Sequence, residues 1–494
     1  MAFHRIKLHR IIGVLFGLLF VFLLSLRLGI FEKGEEDFGK DHSFYAQTRE
    51  DRDVWMNIYQ EERKIGYAHR QFFKTLEGYK FSESVFMQIN TLGMVQDIRF
   101  KTEGNLHHHL GLASFNFELL SSLFQFKVRG VLKDRMLTLF VRSATGSEQK
   151  IDLPLKKEIH LPAALFERLS AQNLKPGDSR TFHLFDPITT TERPVKVLVL
   201  DEETISIMER QEEAKKVSVD FMGVSQLAWI GKDGTVLREE GSLGMRLEQV
   251  TREEALQRVA VLPGRDLAEF ASVPANRFLR DVSKVHELKL RLEGIDLGLL
   301  FLKGGRQSLQ DKVLTIRRES ISNLLSQSQA KKIPEDIKTY LRPALLIQSD
   351  HPEIQAKAKE IVSADDSDLV KASKLVKWVN ENIQKRPVLS VPNALEILHN
   401  RIGDCNEHAV LLTALARSAG IPAEVEAGLV YQRGRFYYHA WNVLYLGTWI
   451  TADSVMGQFP ADVTHIRLVR GADHQIDLVR LIGKAHIEIL STSK

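Results

Sequence analysis

The sequence predicts an α+β chain in three parts: an N-terminal transmembrane helix, a strand-rich antiparallel middle region, and a C-terminal module in which helices lead into a small sheet. Three observations carry this reading. The run Ile11 to Phe31 is apolar apart from Arg27. From Ser43 to about Val250 apolar and polar residues alternate with period two, and from Ile333 onward apolar residues recur three and four positions apart.

A helix rising about 1.5 Å per residue over Ile11 to Phe31 spans a hydrocarbon core of roughly 30 Å. Arg5, Lys7 and Arg10 precede it, while Glu32, Lys33, Glu35, Glu36 and Asp37 follow. The positive-inside rule then keeps the N-terminus cytoplasmic and the bulk of the chain outside. The stretch around Ser25, Leu26 and Arg27 lacks a small-x-small cleavage pattern, so residues 1–32 are expected to be an uncleaved single-pass anchor in an inner or plasma membrane. The lipid bilayer is therefore an expected partner, and the C-terminal bulk is expected to be extracytoplasmic, in a periplasm.

Composition narrows the rest. The 494 residues are 44% hydrophobic and 26% charged, an ordinary globular balance that excludes disorder for the bulk. Lys and Arg number 67 against 63 Asp and Glu, a net charge of +4 spread along the whole chain. That is far from the concentrated basic face a nucleic-acid binder needs, so no nucleic acid is expected. A single cysteine, Cys405, excludes a disulfide framework within the chain, a Cys-rich zinc module and an iron–sulfur site. No cofactor and no metal are expected; His107, His108 and His109 are consecutive, and neighbours in a strand point to opposite faces.

The middle region, residues 43–250, reads as half-buried antiparallel strands. Val54-Trp55-Met56-Asn57-Ile58-Tyr59, Val195-Lys196-Val197-Leu198-Val199 and Val217-Ser218-Val219-Asp220-Phe221 are bounded by polar or glycine-containing turns such as Lys232-Asp233-Gly234. Leu165 to Leu174 fits one short helix on the sheet. A connecting region, 251–332, is expected to hold a helix over Thr251 to Phe270 and strands near Val285 to Leu292 and Lys312 to Arg318.

The C-terminal module carries the chemistry. His351-Pro352-Glu353 opens one helix with proline in its first turn, Asp365-Asp366-Ser367 precedes a second, and Asn393 to His399 makes a short third. Gly403-Asp404-Cys405-Asn406-Glu407-His408 starts the next: Asp404 and Glu407 have capping-box spacing, and Gly420 and Pro422 form its stop. Cys405 falls at the first helical position, where free N–H groups and the positive end of the helix favour a thiolate. Its pKa is expected below the usual value of about 8.5. It also shares one face with Ala409, Leu412 and Ala416, where a lone cysteine is usually a small hydrophobe.

Downstream, Tyr437 to Tyr445 alternates as a strand and Trp449 to Asp453 as its partner. A three-residue loop over Tyr445 to Gly447 would pair Leu444 with Thr448 and set His439 facing Asp453. A two-residue loop at Gly447 and Thr448 would oppose Asp453 to Asn442 instead. A histidine beside a carboxylate has one ring nitrogen fixed and the other free to take a thiol proton, the arrangement of nucleophile, base and orienter used in covalent catalysis.

The motifs GDCNEH, ALARSAGIPA and FYYHAWN, followed by an aspartate after a tryptophan-bearing strand, resemble the bacterial transglutaminase-like superfamily over about Ala344 to Gly471. The resemblance implies a papain-like transglutaminase core in a domain at 333–471, with a strand or tail over 472–494 behind it. Residue by residue it implies Cys405 as nucleophile, His439 as general base and acid, and Asp453 as the orienter of His439. Val443 and Ser454 stand where relatives often carry Glu and Pro. Asp462 and His465 are read as structural. The expected activity is a membrane-anchored thiol enzyme transferring acyl groups through a Cys thioester on protein or peptide amides of the cell envelope, with hydrolysis expected over cross-linking. The alternative is a non-catalytic envelope binding or scaffold protein.

Overall fold

The computed structural model describes residues 51–493 apart from 122–123, 144–147, 172–173, 188–189, 222–223, 258–264, 322–333, 389–392 and 472–477. Period-two alternation and frequent turns build a 15-stranded sheet between Arg52 and Val250. Eight strands run as an antiparallel meander from Arg52–Gln60 to Gln149–Pro154. The rest return to Met245–Val250, which pairs with Arg52–Gln60 and joins the two halves. Among the described strands of this sheet only Ile159–His160 pairs in parallel, with Ser179–Asp186. A helix over Pro162–Ala171 covers one part of the sheet. Leu165 and Leu169 pack there against Phe182, Val195, Val197, Val217 and Val219, the inward positions of three strands.

The expected fold class needs correction. It put a transmembrane helix at the head of the chain, yet no helix among the described residues is long and apolar enough to cross a membrane. The most deeply buried helix, Cys405–Ser418, has 14 residues, about 21 Å at 1.5 Å per residue, well short of a hydrocarbon core. Among the described residues strands make up 51% and helices 21%, so the architecture is strand-dominated and the transmembrane helix is dropped from it. The run Ile11 to Phe31 lies outside the described residues, as do the bilayer contact and location inferred from it. The single helix expected over Thr251 to Phe270 is also corrected. Arg252–Leu256 ends where Gln257 turns extended, at φ −57° and ψ 140°, and Leu267–Ala271 starts afresh under the Asp266 cap.

The C-terminal unit is built from α1 (Pro352–Ile361), α2 (Asp368–Asn382), α3 (Ala394–Asn400) and α4 (Cys405–Ser418), followed by β1 (Ala423–Gln432), β2 (Arg435–Tyr445), β3 (Trp449–Ala452) and β4 (His465–Arg470). Each helix begins where the sequence supplies a cap: His351, Ser367, Asn393 and Asp404 all accept from backbone N–H groups of the first turn. In α4 the capping box is complete. Asn406 N–H donates to Asp404 Oδ1 at 2.9 Å, and Asp404 N–H donates to Glu407 Oε2 at 2.8 Å. Gly420, at φ +83°, ends the helix in the left-handed region.

Helix α4 is the axis of this unit. Every residue from Glu407 to Arg417 is buried, because α1, α2 and α3 pack on one side and β1 and β2 on the other. The sheet is antiparallel in the order β4-β1-β2, with β3 on the outer edge of β2. Strands β1 and β4 approach so closely that a Cβ on Gly428 would lie 2.0 Å from the Ile466 carbonyl oxygen, and only glycine fits. A four-stranded sheet of Gln307–Gln310, Val313–Arg317, Glu287–Glu293 and His486–Ser493 shares the same core, its Leu288, Leu290 and Ile316 joining Leu412, Val425 and Ile466. It also grips β4. Gln307 accepts the Arg467 N–H at 2.7 Å and donates to the Arg467 carbonyl at 3.1 Å.

Candidate active site

Alternation along β2 divides its residues between two tasks. Ala440 and Asn442 face α4: the Asn442 Nδ2 amide donates to Ala409 O and to Thr413 Oγ1, both at 2.8 Å, stitching strand to helix with no exposed atom. His439 and Trp441 face the other way, their rings stacked at 6.1 Å. Trp441 donates to Glu426 Oε2 at 3.2 Å and is held there by a buried cluster in which Glu426 also pairs with Arg467 and Arg470.

His439 Nε2 lies 2.8 Å from Asp453 Oδ2. The hairpin that brings them together follows neither expected register. Its loop is Leu446 to Thr448, so Tyr445 pairs with Trp449 and Asn442 with Ala452. Gly447, at φ +87°, takes the left-handed slot. Continued by one residue, this register sets Asp453 opposite Trp441 and diagonal to His439 on the same face, within reach across strands. Asp453 then leaves the sheet in a turn: its Oδ1 accepts the Met456 N–H at 2.9 Å, and Asn380 of α2 donates to the Ser454 and Val455 carbonyls at 2.7 and 3.0 Å.

Cys405 is half-buried at the start of α4. The backbone N–H of Ala440, the residue after His439, donates toward its thiol. Among the described contacts no hydrogen bond joins the sulfur to the His439 ring. With Nε2 committed to Asp453, Nδ1 is the ring nitrogen left for the thiol proton, and such bonds commonly tighten only when substrate is present. The expected depression of the thiol pKa is reversed. Burial pushes it well above the usual thiol range, and the negative charges of Asp404, Glu407 and Asp453 push the same way, outweighing the Ala440 N–H that favours the thiolate. Asp404 is itself raised, by burial and by Glu407 beside it.

Burial alone would raise the Asp453 carboxyl, but His439 and His465 reverse this and hold it well below the usual carboxylate range. A depressed folded-state pKa adds stability that is fully present above the unfolded value of about 3.9 and is lost as pH falls toward the folded one. Asp453→Asn is therefore expected to flatten the decline of Tm between about pH 5 and pH 2. Calorimetry across that range measures it, and a slope equal to that of the unaltered protein would contradict the assignment.

The sequence reading took His465 as structural and did not place it at this site. His465, on β4, places Nε2 2.9 Å from the same Asp453 oxygen, and its ring meets Trp441 edge-on at 5.2 Å. The available signal was a histidine at the head of a buried strand, His465-Ile466-Arg467-Leu468-Val469, three residues after Asp462. His439, Asp453 and His465 offer ligand atoms within 4.8 Å of one another, a set that could hold a metal ion. The two nitrogen–oxygen separations, 2.8 and 2.9 Å, are hydrogen-bond lengths. Ligands around a zinc ion with bonds of about 2.1 Å sit roughly 3.3 Å apart, so the arrangement is read as a hydrogen-bonded network.

A thiol heading a buried helix, met by the N–H of Ala440 on the strand whose His439 imidazole is oriented by Asp453, defines the class: a cysteine-type enzyme. Residues 355–454 match the model of the Transglutaminase-like superfamily, and the chain carries a domain of that superfamily there. Among curated proteins no match is found. Several solved structures are similar, three of which follow. The first is a protein of Cytophaga hutchinsonii described provisionally as a cysteine protease, 17% identical, covering 42% of this chain and 83% of its own, with a TM-score of 0.29. The second is the β-barrel-like protein of domain of unknown function DUF1849 from Brucella abortus, 11% identical, covering 41% and 96%, with a TM-score of 0.33. The third is the periplasmic domain of TgpA from Pseudomonas aeruginosa, 18% identical, covering 40% and 86%, with a TM-score of 0.24. None superposes well enough to bear on function.

Proposed function

We propose that this chain is a thiol acyl-transfer enzyme acting on protein or peptide amides, with water as the preferred acceptor. Cys405 is the nucleophile, His439 the general base and acid, and Asp453 the group that orients His439. The carrying observation is the 2.8 Å pair of His439 and Asp453 on the strand whose next N–H meets the Cys405 thiol.

The thiol proton passes to His439 Nδ1 as the sulfur attacks the amide carbon. Charge developing on the carbonyl oxygen is met by the Cys405 N–H, which has no acceptor within the helix at that position. His439 returns the proton to the leaving amine, the carbon–nitrogen bond breaks, and a thioester remains. Water gives a proton to the same ring nitrogen, its oxygen attacks the thioester, and the carboxylic acid leaves as the thiol regains its proton. The raised thiol pKa fits a resting site in which the sulfur stays protonated until substrate enters.

Incubation with a glutamine-containing peptide in heavy-oxygen water, with a labelled amine present, tests this by mass spectrometry. The expected product carries heavy oxygen in a new carboxyl group. Labelled amine in its place would assign cross-linking, and a Cys405 that never forms an acyl adduct would leave the scaffold reading.

A further inference from the structure

The segment between Asp453 and β4 closes on itself. Asp453 N–H donates to Gln458 O at 2.9 Å, and Gln458 N–H donates back to Asp453 O at 2.8 Å. The Gln458 side chain clasps Asp462, donating from Nε2 to Oδ2 at 3.0 Å and accepting the Asp462 N–H at 2.9 Å. Asp462 Oδ1 also accepts from Thr464, from N–H at 2.8 Å and from Oγ1 at 2.6 Å. His465 completes the ring. Its Nδ1 lies 3.3 Å from Asp462 Oδ1 and its Nε2 2.9 Å from Asp453 Oδ2. The side chain has no exposure to solvent. A buried imidazole with a carboxylate at each nitrogen carries a proton on both and is a cation.

We propose that His465 is a positioning residue: a fixed buried cation that pins the Asp453 carboxylate toward His439 and offsets part of its negative charge at Cys405. Its purpose rests on the acyl-transfer reading above; its electrostatic action does not. An aspartate held by one histidine alone is free to swing about its Cβ. Here three N–H donors, from His439, His465 and Met456, leave the carboxylate one orientation. The charge matters because Cys405 already faces Asp404 and Glu407 from its own helix and Asp453 from beyond β2. Around His465 stand Asp453, Asp462, the His439 ring at 6.0 Å, and Arg306, whose Nη2 donates to the His465 carbonyl at 3.2 Å. Burial disfavours the His465 cation, yet the two carboxylates raise its pKa above the ordinary histidine value.

Cys405 is the chain's one cysteine, so the rate of iodoacetamide alkylation against pH reads this thiol in the full-length protein. His465→Gln keeps a donor for Asp453 and removes the charge. The alkylation midpoint is expected to rise by about one pH unit, the size of a single charge about 12 Å away at an effective dielectric near 20. Asp462→Asn, which leaves the ring but weakens its hold on the second proton, is expected to move the midpoint the same way by less. Midpoints unmoved in both variants would overturn the positioning role, and if His465→Gln fails to fold, Asp462→Asn decides by the same criterion. His439→Ala separates this result from the functional reading. Neutral-pH reactivity lost in His439→Ala with an unmoved His465→Gln midpoint sinks only the role of His465. A moved midpoint with reactivity indifferent to His439→Ala sinks only the acyl-transfer reading.

Discussion

On the proposed mechanism Cys405→Ala is expected to abolish acyl transfer while the protein keeps its thermal transition, because the residue is only half-buried and alanine preserves the helix start. His439→Ala is expected to lower kcat by about 10³-fold or more, as loss of a nucleophile's base does in triads of this kind. Asp453→Asn keeps the shape but cannot accept two imidazole N–H groups on one charged oxygen, so the ring of His439 loses its fixed tautomer and a loss on the order of 10³–10⁴ is expected. Single-turnover assays with quantified acyl-enzyme would measure all three. A His439→Ala protein within tenfold of the unaltered rate would remove the imidazole from the mechanism, and with it the reason for the pairing with Asp453.

The largest expected effect on stability lies behind the site. Glu426, 2% exposed on β1, accepts from Trp441 at 3.2 Å, from Arg467 at 3.3 Å, and from Arg470 at 3.0 and 2.6 Å. Burying one carboxylate against two guanidinium groups is a poor source of net stability, but removing the carboxylate alone leaves Arg467 buried and Arg470 largely buried without this counter-charge. Glu426→Ala is expected to cost about 3–5 kcal/mol. Denaturant titration of the C-terminal unit would show it. Glu426→Gln, which retains acceptors without charge, is expected to recover part of the loss. A cost below about 1 kcal/mol would mean that water reaches the arginines and the cluster is solvated.

Much of the C-terminal unit was legible because its signals are local. A capping box is a matter of spacing, so Asp404 and Glu407 placed Cys405 at the first turn of α4 without reference to the rest of the chain. Alternation in Tyr437 to Tyr445 placed His439 and Asn442 on opposite faces for the same reason. The hairpin register was harder: a glycine-centred loop can slide by a residue at either end, and only side-chain packing selects Leu446 to Thr448. His439 and Asp453 meet all the same, since the observed register differs from the expected three-residue one by an even number of positions and so keeps both on one face. The helix expected over Thr251 to Phe270 failed because a periodic pattern says nothing of where tertiary contacts pull the chain extended, as at Gln257.

The amino-acid sequence by itself determined which residues head helices, which alternate along strands, and that one thiol, one imidazole and one carboxylate stand in the order of a cysteine enzyme. Tertiary structure alone decided the direction of the Cys405 pKa and the recruitment of His465 to Asp453. Caps and alternation depend on neighbours a few residues away, whereas burial and the Coulomb interactions with Asp453 depend on distances between segments that are separate in sequence, and those distances exist only after the chain has packed.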